Sequence, residues 1–380
     1  MSIFALDKIV IDKDAPGPMY MQLYRELAKQ VREHPPNIPA VLPSERTFCT
    51  ALGLNRATVH RAYEEFIKAG VVERQPNKSL ILLPRARKSL EHCVPAIGLL
   101  LPEFFSSYIE RKHSTGIQYI KGIFDRAAAL NYAVSVFQLP PPEATLEEMR
   151  SFIDTRLSVL SGIIHLGNRG QMNDPALLSI VSYTGIPQVC INSHTPENPN
   201  VGCICCDFKG AAEKLCRLMK KKKIRTCGVV SQYELPFEAR GSPKFRYLVE
   251  TRPAQIAEYL TAGGITVPDD WNYAYLQNFD DFLEHRKKGT LPDALWCVND
   301  AMAAQLEEWC RKCGIKVPDE LKIVGFDGSD HNSSLTTVRQ PFSTLGALAV
   351  DTLLEHFEYG INQDNRFRCA EAELIQGKTL

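Results

Sequence analysis

The feature that most constrains the fold is a series of short, nearly continuous apolar runs between residues 97 and 326. Helix-like segments separate most of these runs, as at residues 116–130, 209–222 and 301–313. Strands buried on both faces read as continuous apolar runs, and their alternation with helices is typical of parallel sheets covered by helices. The runs occupy residues 97–101, 132–137, 162–166, 187–191, 226–230, 294–298 and 321–326. We therefore predict an α/β body with parallel sheets flanked by helices.

Residues suited to ligand binding follow several of these runs. Phe104 and Phe105 come after the first run, Asn192 after the fourth, Asn299 after the sixth and Asp327 after the seventh. Each Asn or Asp could instead cap a following helix. Because ligands of parallel sheets bind beyond the carboxyl ends of the strands, the recurrence favours a shared binding site.

The first ninety residues have a different pattern. An amphipathic helix is predicted over residues 20–33, a short helix begins after Ser44, and a third helix begins after Asn55. Two short apolar runs follow at residues 71–72 and 80–83, and the turn-like segment between them predicts a two-stranded wing. Helix, turn and helix with donors on the last helix is an arrangement that reads DNA. The alternative is a small helical domain with a solvated basic face.

Charge and composition fit this division. Residues 1–90 carry 14 Lys and Arg against 9 Asp and Glu. The whole chain has 44 basic and 44 acidic residues, so residues 91–380 carry more acidic than basic side chains. We expect a DNA-binding domain at residues 1–83, a polar linker at 84–94 and a body at 95–380.

No apolar stretch approaches the roughly 18 residues of a membrane span. We therefore expect a cytoplasmic protein without a membrane partner.

We find no pattern for catalysis or for a cofactor. The sequence has no nucleophile motif, Walker loop or Rossmann fingerprint. Cys203-Ile-Cys-Cys206 has no second ligand pair at zinc spacing and lies in an apolar run, so we interpret it as structural. Lys220–Lys223 is interpreted as a solvated helix end, and Asp280 with Asp281 as a helix start. We expect no enzyme activity, metal or cofactor.

The N-terminal motifs resemble a known family. Leu42-Pro-Ser-Glu-Arg46, residues 52–63 and Ala69-Gly-Val-Val-Glu-Arg74 are similar to the GntR-type winged helix-turn-helix. His60 stands where the family usually has Arg, and residues 76–79 replace its Gly-rich wing turn. The resemblance implies binding to double-stranded operator DNA through Arg46, Arg56, Thr58, His60, Arg61, Asn77 and Lys78.

The body resembles a second family. Residues 292–303, 314–327 and 335–341 are similar to the effector domain of LacI-type regulators, a relative of periplasmic sugar-binding proteins. The resemblance implies a first lobe of residues 95–206 and 341–359 and a second lobe of residues 207–340 and 360–380. By position, the effector-contacting residues would be Phe104, Phe105, Asn192, Arg246, Asn299 and Asp327, with Arg240 as a rival of Arg246. Such carboxylate, amide, guanidinium and aromatic groups suit a polyol.

A GntR-type head on a LacI-type body is the arrangement of arabinose-repressor-like regulators. The resemblance implies a homodimeric repressor on a palindromic operator, with a sugar or similar polar molecule as effector. Two alternatives stay open at this point. Some GntR-type heads carry a body like that of pyridoxal-phosphate-dependent aminotransferases, and a ligand-binding protein could carry a head that does not bind DNA.

Overall fold

The computed structural model describes most of the chain. The described residues are 4–11, 19–33, 40–84, 86, 96–110, 115–141, 144–157, 160–166, 180, 186–191, 201–231, 251–272, 274–276, 278–329 and 334–380. Within these residues, no helix is both long and apolar enough to cross a membrane.

The N-terminal unit contains the predicted three helices and two strands. They are α1 (Met19–Glu33), α2 (Glu45–Leu52), α3 (Arg56–Lys68), β1 (Val72–Arg74) and β2 (Leu80–Leu82). The Ser44 hydroxyl caps α2 by accepting from the Thr47 amide at 3.2 Å, and Asn55 caps α3 by accepting from the Thr58 amide at 2.7 Å. β1 and β2 pair antiparallel, and Val41 bridges to Ile81. This unit is called the head below.

The first of two larger sheets is parallel throughout its described strands. Its spatial order is β13-β7-β6-β5-β3-β4. The strands are β3 (Ala96–Leu101), β4 (Ala133–Gln138), β5 (Gly162–Leu166), β6 (Gln188–Ile191), β7 (Val201–Asp207) and β13 (Phe367–Glu371). The described helices that accompany it are α4 (Phe105–Glu110), α5 (Thr115–Ala129), α6 (Leu146–Phe152) and α11 (Phe342–Tyr359). We call this unit the first lobe.

Helices α5 and α11 approach each other very closely. A Cβ atom on Gly122 would lie 2.0 Å from the Ser343 carbonyl oxygen, and one on Gly346 would lie 2.2 Å from the Tyr119 carbonyl oxygen. Both positions therefore require glycine for the packing of the first lobe.

The second lobe is built on the other sheet, whose order is β14-β12-β11-β10-β8-β9. Its strands are β8 (Cys227–Ser231), β9 (Ala274–Tyr275), β10 (Ala294–Cys297), β11 (Lys322–Asp327), β12 (Thr336–Arg339) and the antiparallel β14 (Glu373–Ile375). Its helices in the described residues are α7 (Lys209–Lys221), α8 (Thr251–Ala262), α9 (Phe279–Lys288) and α10 (Asp300–Cys313). Two parallel-stranded α/β lobes confirm the predicted class of the body.

One predicted lobe boundary is wrong. The family resemblance predicts residues 360–380 in the second lobe, but Phe367–Glu371 pairs in parallel with Val201–Asp207 of the first lobe. The chain crosses after this strand, at Ala372, whose amide donates to the Asp207 carbonyl at 2.7 Å. The two connecting strands therefore leave the first lobe side by side.

The head packs against the first lobe. The hydroxyls of Tyr20 in α1 and Tyr132 before β4 are 2.8 Å apart, and Arg25 donates to the Leu130 carbonyl at 2.7 Å. The Arg61 guanidinium in α3 lies 4.5 Å from the ring centre of Phe357 in α11. Head and first lobe therefore share one hydrophobic cluster. Of the predicted linker, Pro84 and Ala86 are among the described residues, and Ala86 is buried in that cluster.

Candidate functional site

The head has an open groove of about 770 Å³ between the start of α2, the start of α3 and the β1–β2 turn. Arg46, Arg56, Arg74, Asn77 and Lys78 lie around it. The Arg56 side chain is 85% exposed, whereas that of Arg74 is 43% exposed. Lys78 lies at the turn with a positive φ of 66°. The lining of the groove is therefore predominantly positive, with four cationic side chains against the carboxylate of Glu45.

A single carboxylate organises two exposed basic side chains in the first half of α3. Glu45 accepts from the Arg56 Nε at 2.9 Å and lies 2.8 Å from the His60 Nδ1. Partial burial acts to raise the pKa of Glu45, but the hydrogen bonds from His60 and Arg56 lower it below its usual value. Glu45 is therefore ionised near neutral pH and holds both side chains at the rim of the groove.

Two residues of α3 predicted to contact DNA face elsewhere. Thr58 is fully buried, and its amide serves the Asn55 cap, so its side chain lies in the core of the head. Arg61 lies 3.8 Å from Glu65, donates to the Ser161 carbonyl of the first lobe at 3.4 Å, and covers Phe357. The predicted DNA contacts of Thr58 and Arg61 are therefore incompatible with this structure, because both side chains are already committed to packing.

A second polar cluster lies at the ends of the strands of the second lobe. Asp327 ends β11, and its Oδ1 accepts from Arg252 at 3.1 Å and from Gln340 at 2.6 Å. The φ of Asp327 is 107°, a conformation that a residue with a side chain adopts at a cost of about 1–3 kcal/mol. The bonds to Arg252 and Gln340 hold the carboxylate in this orientation.

Arg252 is the functional candidate that the sequence interpretation missed. It lies in the first turn of α8, where it also donates to the Val298 carbonyl at 2.8 Å and stacks 4.2 Å above the ring of Phe326. Arg246 and its rival Arg240 lie outside the described residues, as does Asn192. The available signal was the sequence Arg252-Pro253 followed by apolar residues at helical spacing, which marks a helix start with Pro in the first turn.

The other predicted effector residues are placed as follows. Asn299 follows β10 and caps α10, with its Oδ1 accepting from the Met302 amide at 2.8 Å. It therefore performs the capping role that the sequence left open. Phe104 and Phe105 follow β3 of the first lobe, with exposed fractions of 65% and 39%. Two exposed aromatic rings are thus available beyond the end of a first-lobe strand.

Asp300 supports the loop that follows Asp327. Its carboxylate is buried and accepts from the Ser329 amide at 2.6 Å, the Ser329 hydroxyl at 3.1 Å and the Thr337 hydroxyl at 2.6 Å. Burial raises the pKa of Asp300 to about 6, against the opposing effect of these hydrogen bonds. Through these hydrogen bonds Asp300 holds Ser329, two residues after Asp327, and Thr337 in place.

The cluster lies close to the crossings between the lobes. Gln340 directly precedes the segment that leads into α11 of the first lobe. Burial raises the pKa of the Cys206 thiol in β7, and the nearby charges of Arg252 and Asp327 act to lower and to raise it. The cluster therefore lies beside segments that connect the two lobes.

Comparison with known proteins adds family information. Residues 218–380 match the family described as Periplasmic binding protein-like domain. The arabinose metabolism transcriptional repressor of Geobacillus stearothermophilus is 25% identical over 356 residues, which cover 91% of this chain and 93% of that protein. Catabolite control protein A of Staphylococcus aureus strain Mu50 is 21% identical over 267 residues, 68% of this chain and 74% of that protein.

Solved structures show the same fold. A LacI-family regulatory protein from Chloroflexus aggregans superposes with a TM-score of 0.57 at 16% identity, covering 75% of this chain and 98% of that chain. A lac repressor dimer bound to operator and an anti-inducer gives a TM-score of 0.55 at 18% identity, covering 77% and 96%. The chain is thus similar over most of its length to a transcriptional repressor and to a catabolite control protein, and its residues 218–380 match a periplasmic binding protein-like domain.

Proposed function

We propose that the protein is a sugar-responsive transcriptional repressor that binds operator DNA through its head and a sugar between its two lobes. The observation that carries the proposal is the presence of two separate polar sites in one chain. The head presents a basic groove, and the second lobe presents the Asp327 and Arg252 cluster at strand ends near the lobe crossings. The whole-length similarity to an arabinose metabolism repressor supports combining the two sites.

For the head, we propose a winged helix-turn-helix of GntR type. The cap residues Ser44 and Asn55 start α2 and α3 at the spacing of the motif, and the antiparallel β1–β2 pair provides the wing. Arg56 is the proposed base reader because it is exposed at the first turn of α3. Arg46, His60, Asn77 and Lys78 are proposed to position the head on phosphates and on the groove edges.

For the body, the chemistry of the cluster suits a sugar. Both Arg252 and Gln340 donate to Oδ1 of Asp327, and no hydrogen-bond donor among the described residues reaches Oδ2, so Oδ2 is the oxygen proposed to accept from a sugar hydroxyl. The Asp327 and Arg252 side chains are 17% and 13% exposed, which limits competition from water. Phe104, Phe105, Asn192, Arg246 and Asn299 remain the proposed further contacts, in an arrangement that closure of the lobes would complete.

The proposed assembly is a homodimer on a palindromic operator. Two-fold symmetry of the protein then requires two half-sites at a fixed spacing. Because the head contacts the first lobe, a change in the relation between the lobes alters the spacing of the heads. Effector binding would thereby change operator affinity, with coupling typically of 5–150-fold.

The test combines two measurements on the full-length protein. Thermal shift with a panel of mono- and disaccharides that includes L-arabinose should raise the melting temperature for a sugar ligand, since binding to the folded state stabilises it by mass action. Selection from genomic DNA followed by anisotropy titration should return a palindromic duplex whose affinity changes with that sugar. Sugar binding without any selected DNA would instead support a ligand-binding protein with an inactive head, and absence of both would overturn the proposal.

A further inference from the structure

Two cysteines of the first lobe lie side by side on neighbouring strands. Cys205 in β7 and Cys369 in β13 are direct partners in the parallel register, and their thiols hydrogen-bond to each other. Neighbouring strands are about 4.8 Å apart, which lies within the about 4.4–6.8 Å between Cα atoms that a disulfide spans. Both thiols are reduced in the structure. Among the described strands β13 lies at the edge of its sheet, so small shifts that bring the two sulfurs together displace no outer described strand.

The two thiols differ in accessibility and acidity. Cys369 is exposed, whereas Cys205 is partly buried. The hydrogen bond from Cys205 lowers the pKa of Cys369 to about 7, while the same bond and burial raise the pKa of Cys205. Since the thiolate is the reactive form, Cys369 is suited to meet an oxidant and Cys205 to resolve the product. By contrast, Cys190 and Cys297 are buried within the sheets, and burial raises the pKa of both thiols.

We propose that Cys205 and Cys369 form a reversible disulfide on exposure to a peroxide. The Cys369 thiolate attacks one peroxide oxygen, the O–O bond breaks, and the products are a sulfenic acid and hydroxide, which becomes water with the proton that Cys369 released. The Cys205 sulfur then displaces the hydroxyl group from the Cys369 sulfur, and the displaced group leaves as water with the Cys205 proton. The two thiols lose two electrons in total and reduce one hydrogen peroxide to two waters.

The position of the pair gives the disulfide a structural consequence. β7 leads through Asp207 into α7 of the second lobe, and β13 leads through Ala372 into β14 of the second lobe. Cys206, the residue after Cys205, lies near Arg252 and Asp327. A Cys205–Cys369 bond would therefore tie together two strands that connect the lobes, beside the proposed sugar site, and restrict the movement of one lobe against the other.

The test treats the reduced full-length protein with hydrogen peroxide in an anaerobic buffer and maps the products by mass spectrometry after alkylation. We expect a mass loss of about 2 Da and a linked pair of tryptic fragments, residues 170–209 with residues 369–378. Dithiothreitol should release the link. Cys205→Ser and Cys369→Ser should abolish it, whereas the controls Cys206→Ser and Cys313→Ser should retain it.

Two outcomes would overturn the proposal. One is a link that persists in Cys205→Ser, which would place the partner elsewhere in fragment 170–209. The other is oxidation of Cys369 to the sulfinic acid without any link in the unsubstituted protein. Because this second measurement needs no variant, a substitution that fails to fold does not affect it. DNA and sugar binding are not used as readouts, so the result is independent of the proposed function.

Discussion

At the scale of single residues, Asp327 is the side chain on which the proposed sugar site depends most. Its Oδ1 is already satisfied by Arg252 and Gln340, and hydrogen bonds to a charged group contribute about 1.5–3 kcal/mol each. Asp327→Asn should therefore weaken sugar binding by about 10–150-fold, because the replacement amide loses the charge and one acceptor. The measurement is isothermal titration with the sugar that stabilises the unsubstituted protein.

The control for Asp327→Asn is Glu308→Gln, which removes a carboxylate paired with exposed Arg311 on α10 of the same lobe. This control should retain full affinity for the sugar. Equal binding by Asp327→Asn and the control would exclude Asp327 from the site.

Asp300 predicts a pH dependence of stability. Its pKa is raised to about 6 in the folded protein, so between about pH 4 and pH 6 the folded state binds more protons than the unfolded state. The free energy of unfolding should therefore fall as pH rises through this window, by up to about 3 kcal/mol for a shift of about two units. Urea unfolding at pH 4, 5, 6 and 7 measures the slope, and Asp300→Asn should flatten it.

Glu284→Gln is the matched control for this pH dependence, since Glu284 forms an exposed ion pair with Lys288. The control should keep the slope of the unsubstituted protein. An identical slope in Asp300→Asn would show that another group causes the dependence.

Several residue roles could be predicted from the sequence because they are local. Ser44 and Asn55 were predicted as caps from their positions before apolar helices, and both make the cap hydrogen bond. Arg252 could not be ranked above Arg246 or Arg240 from one sequence, because its contacts with Asp327 and Val298 join residues 75 and 46 positions apart. The burial of Thr58 depends in the same way on how α3 packs against the rest of the head.

At the scale of elements, α3 presents two faces with different tasks. Arg56 lies at the groove, while Arg61 lies against the first lobe. Arg56→Ala should weaken binding of the selected duplex by about 1–3 kcal/mol and reduce its salt dependence, because a cation at the DNA is lost. Arg61→Ala should leave the salt dependence unchanged. Anisotropy titrations at several salt concentrations measure both.

Lys121→Ala on α5 removes an exposed positive charge from the body and is the control for net charge. It should match the unsubstituted protein at each salt concentration. A loss of salt dependence in Arg61→Ala similar to that in Arg56→Ala would place Arg61 at the DNA after all.

Strands and helices could be predicted where the segment itself has a recognisable pattern of apolar residues. All seven apolar runs form strands, and six of these strands are largely buried, as expected for parallel strands that are apolar on both faces. The seventh, β4, is a partly exposed strand at the edge of the described sheet. β13 alternates between exposed and half-buried residues at the edge of the first sheet, and β9 has only two residues, so neither has such a run. The lobe to which β13 belongs is determined by pairing with β7, more than 160 residues earlier, which no local pattern encodes.

At the scale of the whole molecule, the described contacts between the proposed sugar site and the proposed DNA-binding groove run through the first lobe. The described head contacts all reach first-lobe residues, namely Tyr132, Leu130, Ser161 and Phe357. The Asp327 cluster belongs to the second lobe and meets the first lobe near the crossings. Closure of the lobes can therefore move the head only if the head stays docked on the first lobe.

This dependence predicts that the docking contacts carry the coupling between the two ligands. The double variant Tyr20→Phe with Arg61→Ala removes the hydrogen bond to Tyr132 and the stacking on Phe357, but it changes no residue of the Asp327 cluster and none of the proposed groove contacts at Arg46, Arg56, Asn77 and Lys78. We expect the affinity for sugar alone and for DNA alone to stay within about threefold of the unsubstituted protein. In the unsubstituted protein we expect the sugar to change operator affinity by about 5–150-fold. In the double variant this change should largely disappear, because the coupling depends on the contacts between the two sites. Titration of the duplex with and without saturating sugar measures this ratio, and a ratio equal to that of the unsubstituted protein would show that the signal reaches the head by another route.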